Sequence, residues 1–402
     1  MKVIIVGAGA AGLIAASTAA ANGHNVTVIE KNHRPARKVM ITGKGRCNLT
    51  NNCDEKSFIE NVVRNPRFMY SCINSFGPQD IMSYIEKYGV DLKTERGNRV
   101  FPVSDKSVDI VDALYRGAKG CTFIFDKSVK EIKSSDGAFD GVTLNDGTLI
   151  NGDACIICTG GATYPLTGST GDGYVLAKQV GHTVTDIRPS LIPIELSDAF
   201  CKDLSGLSLK NVSLSVTEKQ KEIYHGFGEM LFTHSGISGP IVLSASAHIS
   251  NPSDCRIFID FKPALSHDRL DERIKRDINS DKNKNVSNII CGLLPKCLVN
   301  PLLDAAEVNG SIKCNQFSKE MREKLCTTLK AFELHPTGFR PLEEGIVTRG
   351  GVNVREINPK TMESKLCKGL YFAGEVLDVD AYTGGFNLQI AFSTGYVAGS
   401  SI

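Results

Sequence analysis

Apolar runs alternating with a glycine-rich turn predict a parallel α/β unit at the start of the chain. Val3 to Val6 is continuously apolar, as expected of a parallel strand buried on both faces. GAGAAG (Gly7–Gly12) follows, then an alanine-rich helix to about Asn22 and a second strand, VTVIE, which ends at Glu30. The uncharged run from Val3 to Ala21 also suits a membrane helix or a signal peptide, but the glycine spacing and Glu30 favour strand, turn and helix.

Later patterns predict a hairpin region, an insertion and a return to α/β structure. Strands turned at Asp136-Gly137 and at Asn145-Asp146-Gly147 precede an apolar strand, Ala154 to Cys158. From about Ser190 to Pro263 the pattern favours strands, and from Asp268 to Leu334 it favours helices. We therefore predict a discontinuous domain, 1–189 with 338–402, an inserted β subdomain, 190–267, and an inserted helical subdomain, 268–337.

The first glycine turn has the spacing of a dinucleotide-binding site. Gly7 makes the tight turn, Gly9 lets the backbone approach a pyrophosphate, and Gly12 lets the helix pack against the strand. The start of the helix offers N–H groups and a positive dipole end to phosphates. Glu30 lies 18 residues beyond Gly12, where a carboxylate can bind both ribose hydroxyls. Since it would repel a 2′-phosphate, the site is expected to prefer FAD or NAD to NADP.

Composition narrows the class of protein. The 402 residues carry a net charge of +2, which gives no reason to expect nucleic acid or an anionic membrane as a partner. The 13 cysteines are scattered, without zinc-ligand spacing, so we expect no metal and reduced thiols in a soluble cytoplasmic protein. The insertion is expected to recognise a small-molecule substrate. The sequence sets no oligomeric state.

The end of the chain distinguishes the two cofactors. The hairpins followed by an apolar strand and Thr159-Gly160-Gly161 resemble the FAD domain of two-dinucleotide-binding flavoproteins, and LYFAGE with the helix opened by Thr383-Gly384-Gly385 completes the pattern. This resemblance implies that Val129 lies against the adenine and that Glu375 meets the ribitol or its phosphate. It also implies that the final helix points its N-terminus at the flavin N1–C2=O edge, where reduced flavin carries negative charge. The predicted cofactor contacts are Gly7, Gly9, Ala10, Ala11, Gly12, Glu30, Lys31, Arg37, Lys38, Gly43, Gly45, Arg46, Cys47, Asn48, Val129, Thr159, Gly160, Gly161, Gly374, Glu375, Gly385, Phe386, Asn387 and Leu388.

Four segments together resemble one family over nearly the whole chain. They are GAGAAGLIAA, KVMITGKGRCNLTN, GEMLFTHSGISGP and TMESKLCKGLYFAGEVLDVDAYTGGFNLQIAFSTGYVAG. The family is the BaiN-like group of bacterial NAD(P)/FAD-dependent oxidoreductases, which also includes aminoacetone oxidases. Ala381 departs from the glycine expected there. The resemblance implies reduction of an activated C=C bond, as in a steroid-like or bile-acid-like enone, with NAD(P)H visiting as a transient donor. Oxidation of a small amine or aminoketone to give H₂O₂, and a non-catalytic flavin sensor, remain alternatives.

No catalytic acid or base stands out. Cys155 and Cys158 form a CxxC, but on a strand they point to opposite faces, which favours core packing. His234 lies in a turn-rich segment and could donate a proton or bond the turn. Tyr164 and Tyr382 follow cofactor-associated turns and could donate a proton or pack on the flavin. Lys44 and Arg46, in the basic glycine segment, could balance the negative charge of the pyrophosphate or of reduced flavin.

Overall fold

The computed structural model describes all 402 residues, which divide into two compact units. The first unit is Met1–Ser190 with Pro341–Ile402, and the second is Leu191–Arg340. The strands are β1 (Lys2–Val6), β2 (Asn25–Ile29), β3 (Thr50–Asn51), β4 (Leu92–Glu95), β5 (Arg99–Pro102), β6 (Thr122–Ile124), β7 (Val129–Ser135), β8 (Ala138–Leu144), β9 (Leu149–Asn151), β10 (Ala154–Ile157), β11 (Arg188–Ser190), β12 (Ile194–Leu196), β13 (Ser208–Glu218), β14 (Lys221–Thr233), β15 (Gly236–Ser238), β16 (Cys255–Asp260), β17 (Phe332–Leu334), β18 (Pro336–Phe339), β19 (Val347–Arg349) and β20 (Leu370–Phe372). The helices are α1 (Ala10–Ala21), α2 (Arg37–Gly45), α3 (Glu55–Glu60), α4 (Pro66–Ser75), α5 (Pro78–Lys87), α6 (Ser107–Gly117), α7 (Asp172–Gln179), α8 (Pro240–Ser246), α9 (His267–Ser280), α10 (Val286–Ile290), α11 (Lys296–Ala305), α12 (Lys319–Lys330) and α13 (Phe386–Ser400).

The first unit is built on a parallel sheet with strand order β20-β10-β1-β2-β6. Its central strands are continuously apolar because they are buried on both faces: Val3, Ile4 and Ile5 are at most 1% exposed. The sheet joins strands from the beginning, middle and end of the chain, so the Rossmann-type unit needs segments on both sides of the insertion. This is the α/β fold class that the sequence predicts.

Helices α1 and α13 cross at unusually short range. A Cβ on Gly395 would lie 2.4 Å from Ala11 O, and a Cβ on Gly399 would lie 2.6 Å from Ala15 O. Both helices are apolar on nearly all sides because they are buried, and small residues lie where their backbones meet. The crossing fixes the starts of both helices in one unit.

Smaller antiparallel sheets surround the parallel one. They have the orders β3-β5-β4, β7-β8-β9 and β11-β19. Strands β7 and β8 turn at Asp136 and Gly137, which both have positive φ, as the predicted hairpin requires. No helix of the chain is both long and apolar enough to cross a membrane.

The second unit has its own sheet and core. Seven strands follow the order β17-β16-β13-β14-β15-β12-β18, and buried side chains of this sheet and of helices α9 to α12 belong to one hydrophobic cluster. The apolar patterns of EIYHG and EMLFT predict two separate strands, but the two segments form one continuous strand, β14. The glycines between them, Gly226 and Gly228, remain in the ladder opposite Leu214 and Val212. The predicted subdomain boundaries stay a prediction.

Candidate functional site

The glycine turn after β1 combines two crowded positions with one open position. A Cβ on Gly7 (φ +100°) would lie 2.6 Å from Cys158 O, and one on Gly12 would lie 1.9 Å from Gly7 O. A Cβ on Gly9 would meet nothing within 4 Å. Helix α1 then begins at Ala10 without a side-chain cap. The open space beside Gly9, next to uncapped backbone N–H groups, fits a pyrophosphate.

Glu30 follows β2 and is held in place by the backbone. It is 7% exposed. Its carboxylate accepts hydrogen bonds from Ala8 N at 2.8 Å and from Asn32 N at 2.9 Å. The Asn32 side chain donates to the same carboxylate at 2.6 Å. These bonds preorganise an acceptor next to the glycine turn, which is the arrangement that a nucleotide ribose needs.

The basic glycine segment begins as a helix. The glycines of the segment Arg37 to Asn51 predict a loop, but residues 37–41 are helical and Met40 N donates to Ala36 O at 3.2 Å. The loop conformation is confined to Thr42–Lys44, where the backbone leaves the helical region. The glycines that predict a loop, Gly43 and Gly45, follow this helical turn, so they report on the backbone only from Thr42 onwards.

Helix α2 brings a cation to the carboxyl end of β20. Lys38 Nζ lies 2.8 and 3.1 Å from the two Glu375 carboxylate oxygens and donates to Thr163 Oγ1 at 2.8 Å. Glu375 also accepts from Thr348 N at 2.8 Å. A carboxylate held by one cation and one backbone amide can accept further hydrogen bonds from a polyol. Residues 337 positions apart thus meet in one cradle.

The start of α13 is equally constrained. Gly385 is its N-cap (φ +101°), and a Cβ there would lie 2.3 Å from Thr50 C. The Asn48 amide is oriented so that its oxygen and its nitrogen both have hydrogen-bond partners. In this orientation its oxygen accepts from Gly385 N at 3.1 Å. Asn387 Oδ1 accepts from Ala381 N at 3.0 Å and its Nδ2 donates to Ala381 O at 2.8 Å. The helix start is fixed by side chains that come from both ends of the chain.

Other predicted contacts have partners within the protein. Lys31 pairs with Asp172 at 2.6 Å. Arg46 pairs with Glu95 and Asp105, and its guanidinium lies 4.1 Å from the centroid of the Phe101 ring. Several further residues predicted to contact the cofactor lie in the first unit, but their interactions in the structure do not favour a cofactor role over a structural one. They are Gly43, Gly45, Lys44, Val129, Gly160, Gly161, Phe386 and Leu388. Thr159 Oγ1 is buried without a hydrogen-bond partner.

The three cysteines considered as candidates, Cys47, Cys155 and Cys158, are poor nucleophiles. Cys47 is fully buried, and burial raises the pKa of its thiol to about 12. Cys155 and Cys158 lie at the sheet core, where burial raises the pKa of both thiols. A thiol that stays protonated at neutral pH cannot attack a substrate.

The three candidate proton donors do not all belong to the same unit. Tyr164 and Tyr382 belong to the first unit, and exposed His234 belongs to the turn between β14 and β15 of the second. Tyr164 has φ +54° and ψ +57°, an unusual backbone conformation for a tyrosine, and Lys38 Nζ lies 5.8 Å from its ring centroid. Tyr382 N donates to Asn61 O at 3.0 Å.

Sequence analysis missed a buried acid in the segment before α13. Asp380 is 1% exposed, and Oδ2 accepts from Ser190 Oγ at 2.9 Å while Oδ1 has no partner. Burial raises the pKa of its carboxyl to about 6, against the opposing effect of Arg349 and Arg64. The DVD motif beside the glycines was the only signal in the sequence that could have drawn attention to it.

A serine–histidine–glutamate chain elsewhere in the unit is structural. His182 Nδ1 lies 3.0 Å from Glu356 and Nε2 lies 2.7 Å from Ser364 Oγ. However, Ser364 is 6% exposed and its hydroxyl already accepts from Leu366 N and Cys367 N. The hydroxyl is therefore engaged and shielded, which does not suit a nucleophile.

The parallel sheet, the open position at Gly9 and the two uncapped helix starts define a Rossmann-type dinucleotide-binding protein, and its family is one of FAD-dependent oxidoreductases. The chain belongs to the family described as HI0933-like protein Rossmann domain, whose model matches residues 1–401. The family confirms FAD as the cofactor and confirms the resemblance drawn from the four segments.

Relatives and solved structures agree with this assignment. A ribosomal RNA dihydrouridine synthase of Haemophilus influenzae is 32% identical, covering 99% of this chain and 98% of that protein. A 3-dehydro-bile acid delta(4,6)-reductase of Clostridium scindens is 27% identical, covering 99% and 98%. The crystal structure of 3-ketosteroid-delta4-(5alpha)-dehydrogenase from Rhodococcus jostii superposes with a TM-score of 0.54 at 15% identity, covering 100% and 96%, which shows a shared fold.

Proposed function

We propose that this enzyme reduces a C=C bond conjugated to a carbonyl group, with a reduced nicotinamide dinucleotide as the donor. The observation that carries the proposal is the whole-length similarity to two relatives whose names describe this one chemistry. Dihydrouridine is uridine whose C5=C6 bond, conjugated to a carbonyl, has been reduced. A delta(4,6)-reductase of a 3-dehydro-bile acid likewise acts on a double bond conjugated to a ketone.

FAD, when bound, supplies hydride chemistry, and the chain supplies the surroundings. Gly9 and the start of α1 would hold the pyrophosphate, Glu30 a ribose, and Glu375 the ribitol end. The uncapped start of α13 offers backbone N–H groups that favour negative charge nearby. The reaction balances as donor plus proton plus enone, giving oxidised donor and saturated ketone, so the β-carbon gains a hydride and the α-carbon gains a proton.

Two substrate types carry this conjugated bond. One is a steroid-like or bile-acid-like enone, and the other is a uridine in ribosomal RNA. The first agrees with the expected small-molecule partner. The second would replace the expectation that nucleic acid is not a partner, and it is supported by the higher identity of the dihydrouridine synthase relative.

Anaerobic flavin spectroscopy tests the reaction. Purified holoenzyme is mixed without oxygen with NADH or NADPH, and the flavin absorbance should bleach. A dienone bile acid, unmodified ribosomal RNA transcript and saturated analogues of each are then added separately. We expect recolouring with one conjugated substrate only, and mass spectrometry should find two added hydrogen atoms in the product.

Other outcomes would replace the proposal. Bleaching by aminoacetone but not by nicotinamide, with H₂O₂ formed in air, would identify an amine oxidase. Absence of bleaching by every donor would identify a flavin-binding module without this chemistry. Recolouring by the saturated analogues would show that the conjugated bond is not what reacts.

A further inference from the structure

A cavity lies beside the cofactor cradle in the first unit. Its volume is about 510 Å³, within the size range of small-molecule sites. One wall comes from the segment around α2, with Arg34, Arg37 and Met40, and the other comes from the Tyr164–Thr167 turn. Glu343 contributes a carboxylate.

The cavity is separate from the positions that fit FAD. Gly9, Glu30, Glu375 and Gly385 do not line it, and among the predicted cofactor contacts only Arg37 does. The two sites are nevertheless adjacent, because Lys38, which binds Glu375, lies 5.8 Å from the ring centroid of Tyr164 in the cavity wall. A ligand in the cavity would therefore lie next to the cofactor, and Arg37 is the one predicted cofactor contact that it would also touch.

The lining joins cations to exposed apolar surface. Leu166 is 87% exposed and Ile41 is 46% exposed, although folding normally buries such side chains. Arg34 is exposed and enters no ion pair, while Arg37 donates to Asn32 Oδ1 at 2.9 Å. The Tyr164 backbone stays in its unusual conformation with Tyr164 N donating to Glu343 O at 3.3 Å. Strain of this kind is concentrated at ligand sites.

We propose that this cavity binds the nicotinamide dinucleotide donor. Its phosphates would pair with Arg34 and Arg37, a ribose would bond Glu343, and a planar base would lie against Leu166 and Met40. The inference rests on the proposed function, which needs a donor. It explains how a chain with one GxGxxG motif, used by FAD, accommodates a second dinucleotide.

Binding of the oxidised donors to holoenzyme tests the site without any redox turnover. NAD⁺ and NADP⁺ are titrated by calorimetry into the wild type, Arg34→Ala, Arg34→Lys and Leu166→Asp. Arg276→Ala, which removes an exposed arginine from α9 of the other unit, is the matched control. We expect Arg34→Ala and Leu166→Asp to weaken binding of the preferred dinucleotide roughly tenfold or more, because a charge-assisted phosphate contact is lost or opposed. Arg34→Lys should recover part of the affinity, and the control should match the wild type.

Flavin content is measured in the same samples. Full flavin occupancy with weakened dinucleotide binding supports the proposal. Unchanged dinucleotide affinity in Arg34→Ala and Leu166→Asp overturns it, and so does loss of flavin from these variants, since the cavity would then belong to the FAD site. The proposed reaction is tested separately with dithionite-reduced enzyme and substrate, without nicotinamide. Failure there refutes C=C reduction and leaves the binding result to stand by itself.

Discussion

Substituting Gly9 by alanine should separate folding from cofactor binding. Gly9 has φ −80° and ψ −165°, which any residue adopts, and its Cβ would meet nothing within 4 Å. The apoprotein should therefore keep its fold. Removing the freedom of a glycine in the unfolded chain should stabilise it by about 0.4–1 kcal/mol, or a melting temperature higher by roughly 1–4 °C.

Cofactor affinity should change in the opposite direction. The added methyl group occupies the space through which the pyrophosphate approaches the backbone. Loss of one charge-assisted N–H contact is worth about 1.5–3 kcal/mol, so FAD should bind roughly ten- to hundredfold more weakly. Thermal melting of apoprotein and quenching of flavin fluorescence on titration measure the two effects. Gly12→Ala is the contrasting variant, because its Cβ would lie 1.9 Å from Gly7 O and should damage the fold itself. Wild-type FAD affinity in Gly9→Ala would refute our placement of the pyrophosphate.

Three further outcomes are expected. Burial raises the pKa of the Asp380 carboxyl from 3.8 to about 6, so its contribution to stability is present below pH 3.8 and is lost as pH rises through 6. Asp380→Asn should then gain up to about 3 kcal/mol over wild type between about pH 4 and 7 in urea unfolding, and a constant difference across that range would contradict the assignment. Gly395→Ala places a Cβ 2.4 Å from Ala11 O and should lower the melting temperature and the flavin content together, whereas an unchanged melt would show that α1 and α13 can separate freely. Ellman titration of native protein should find fast reaction only at exposed Cys291 and Cys297, with the other thiols reacting after denaturation, and rapid reaction of a larger set would mean the core is open.

Elements with local signals were predictable from the sequence. The turn, α1 and β2 were expected within a residue or two of their observed bounds, because glycine spacing and apolar runs report directly on backbone conformation and burial. The opening of α13 at Gly385 was expected for the same reason. The end of β20 was not predictable in the same way. The apolar run of LYFAGE predicts a strand from Leu370 to Glu375, but the ladder ends at Phe372, and Gly374 (φ +80°) turns the chain beyond it.

The supporting contacts of the site were not predictable. Thr348 and Lys38 hold Glu375 from distant positions, and neither position has a local pattern that reveals its partner. Arg46 illustrates the converse case, since its charge suggested a cofactor contact while its ion pairs with Glu95 and Asp105 depend on folding. Non-local pairing of charged side chains is set by topology, which single-sequence patterns do not encode.

The dependence of the cradle on α13 has a consequence during protein synthesis. The residue that opens α13, Gly385, follows Gly9 by about 375 residues, which a ribosome translating 5–20 residues per second needs roughly 20–75 s to add. During that interval α1 lacks the helix that covers Ala11 and Ala15, and β10, once it has been synthesised, lacks its neighbour β20 until residues 370–372 follow. The nascent chain therefore carries an exposed apolar helix and an open sheet edge, which are substrates for chaperones and starting points for aggregation. Flavin loading must come after synthesis of this segment, so FAD supply should influence the yield of folded enzyme rather than the start of its folding.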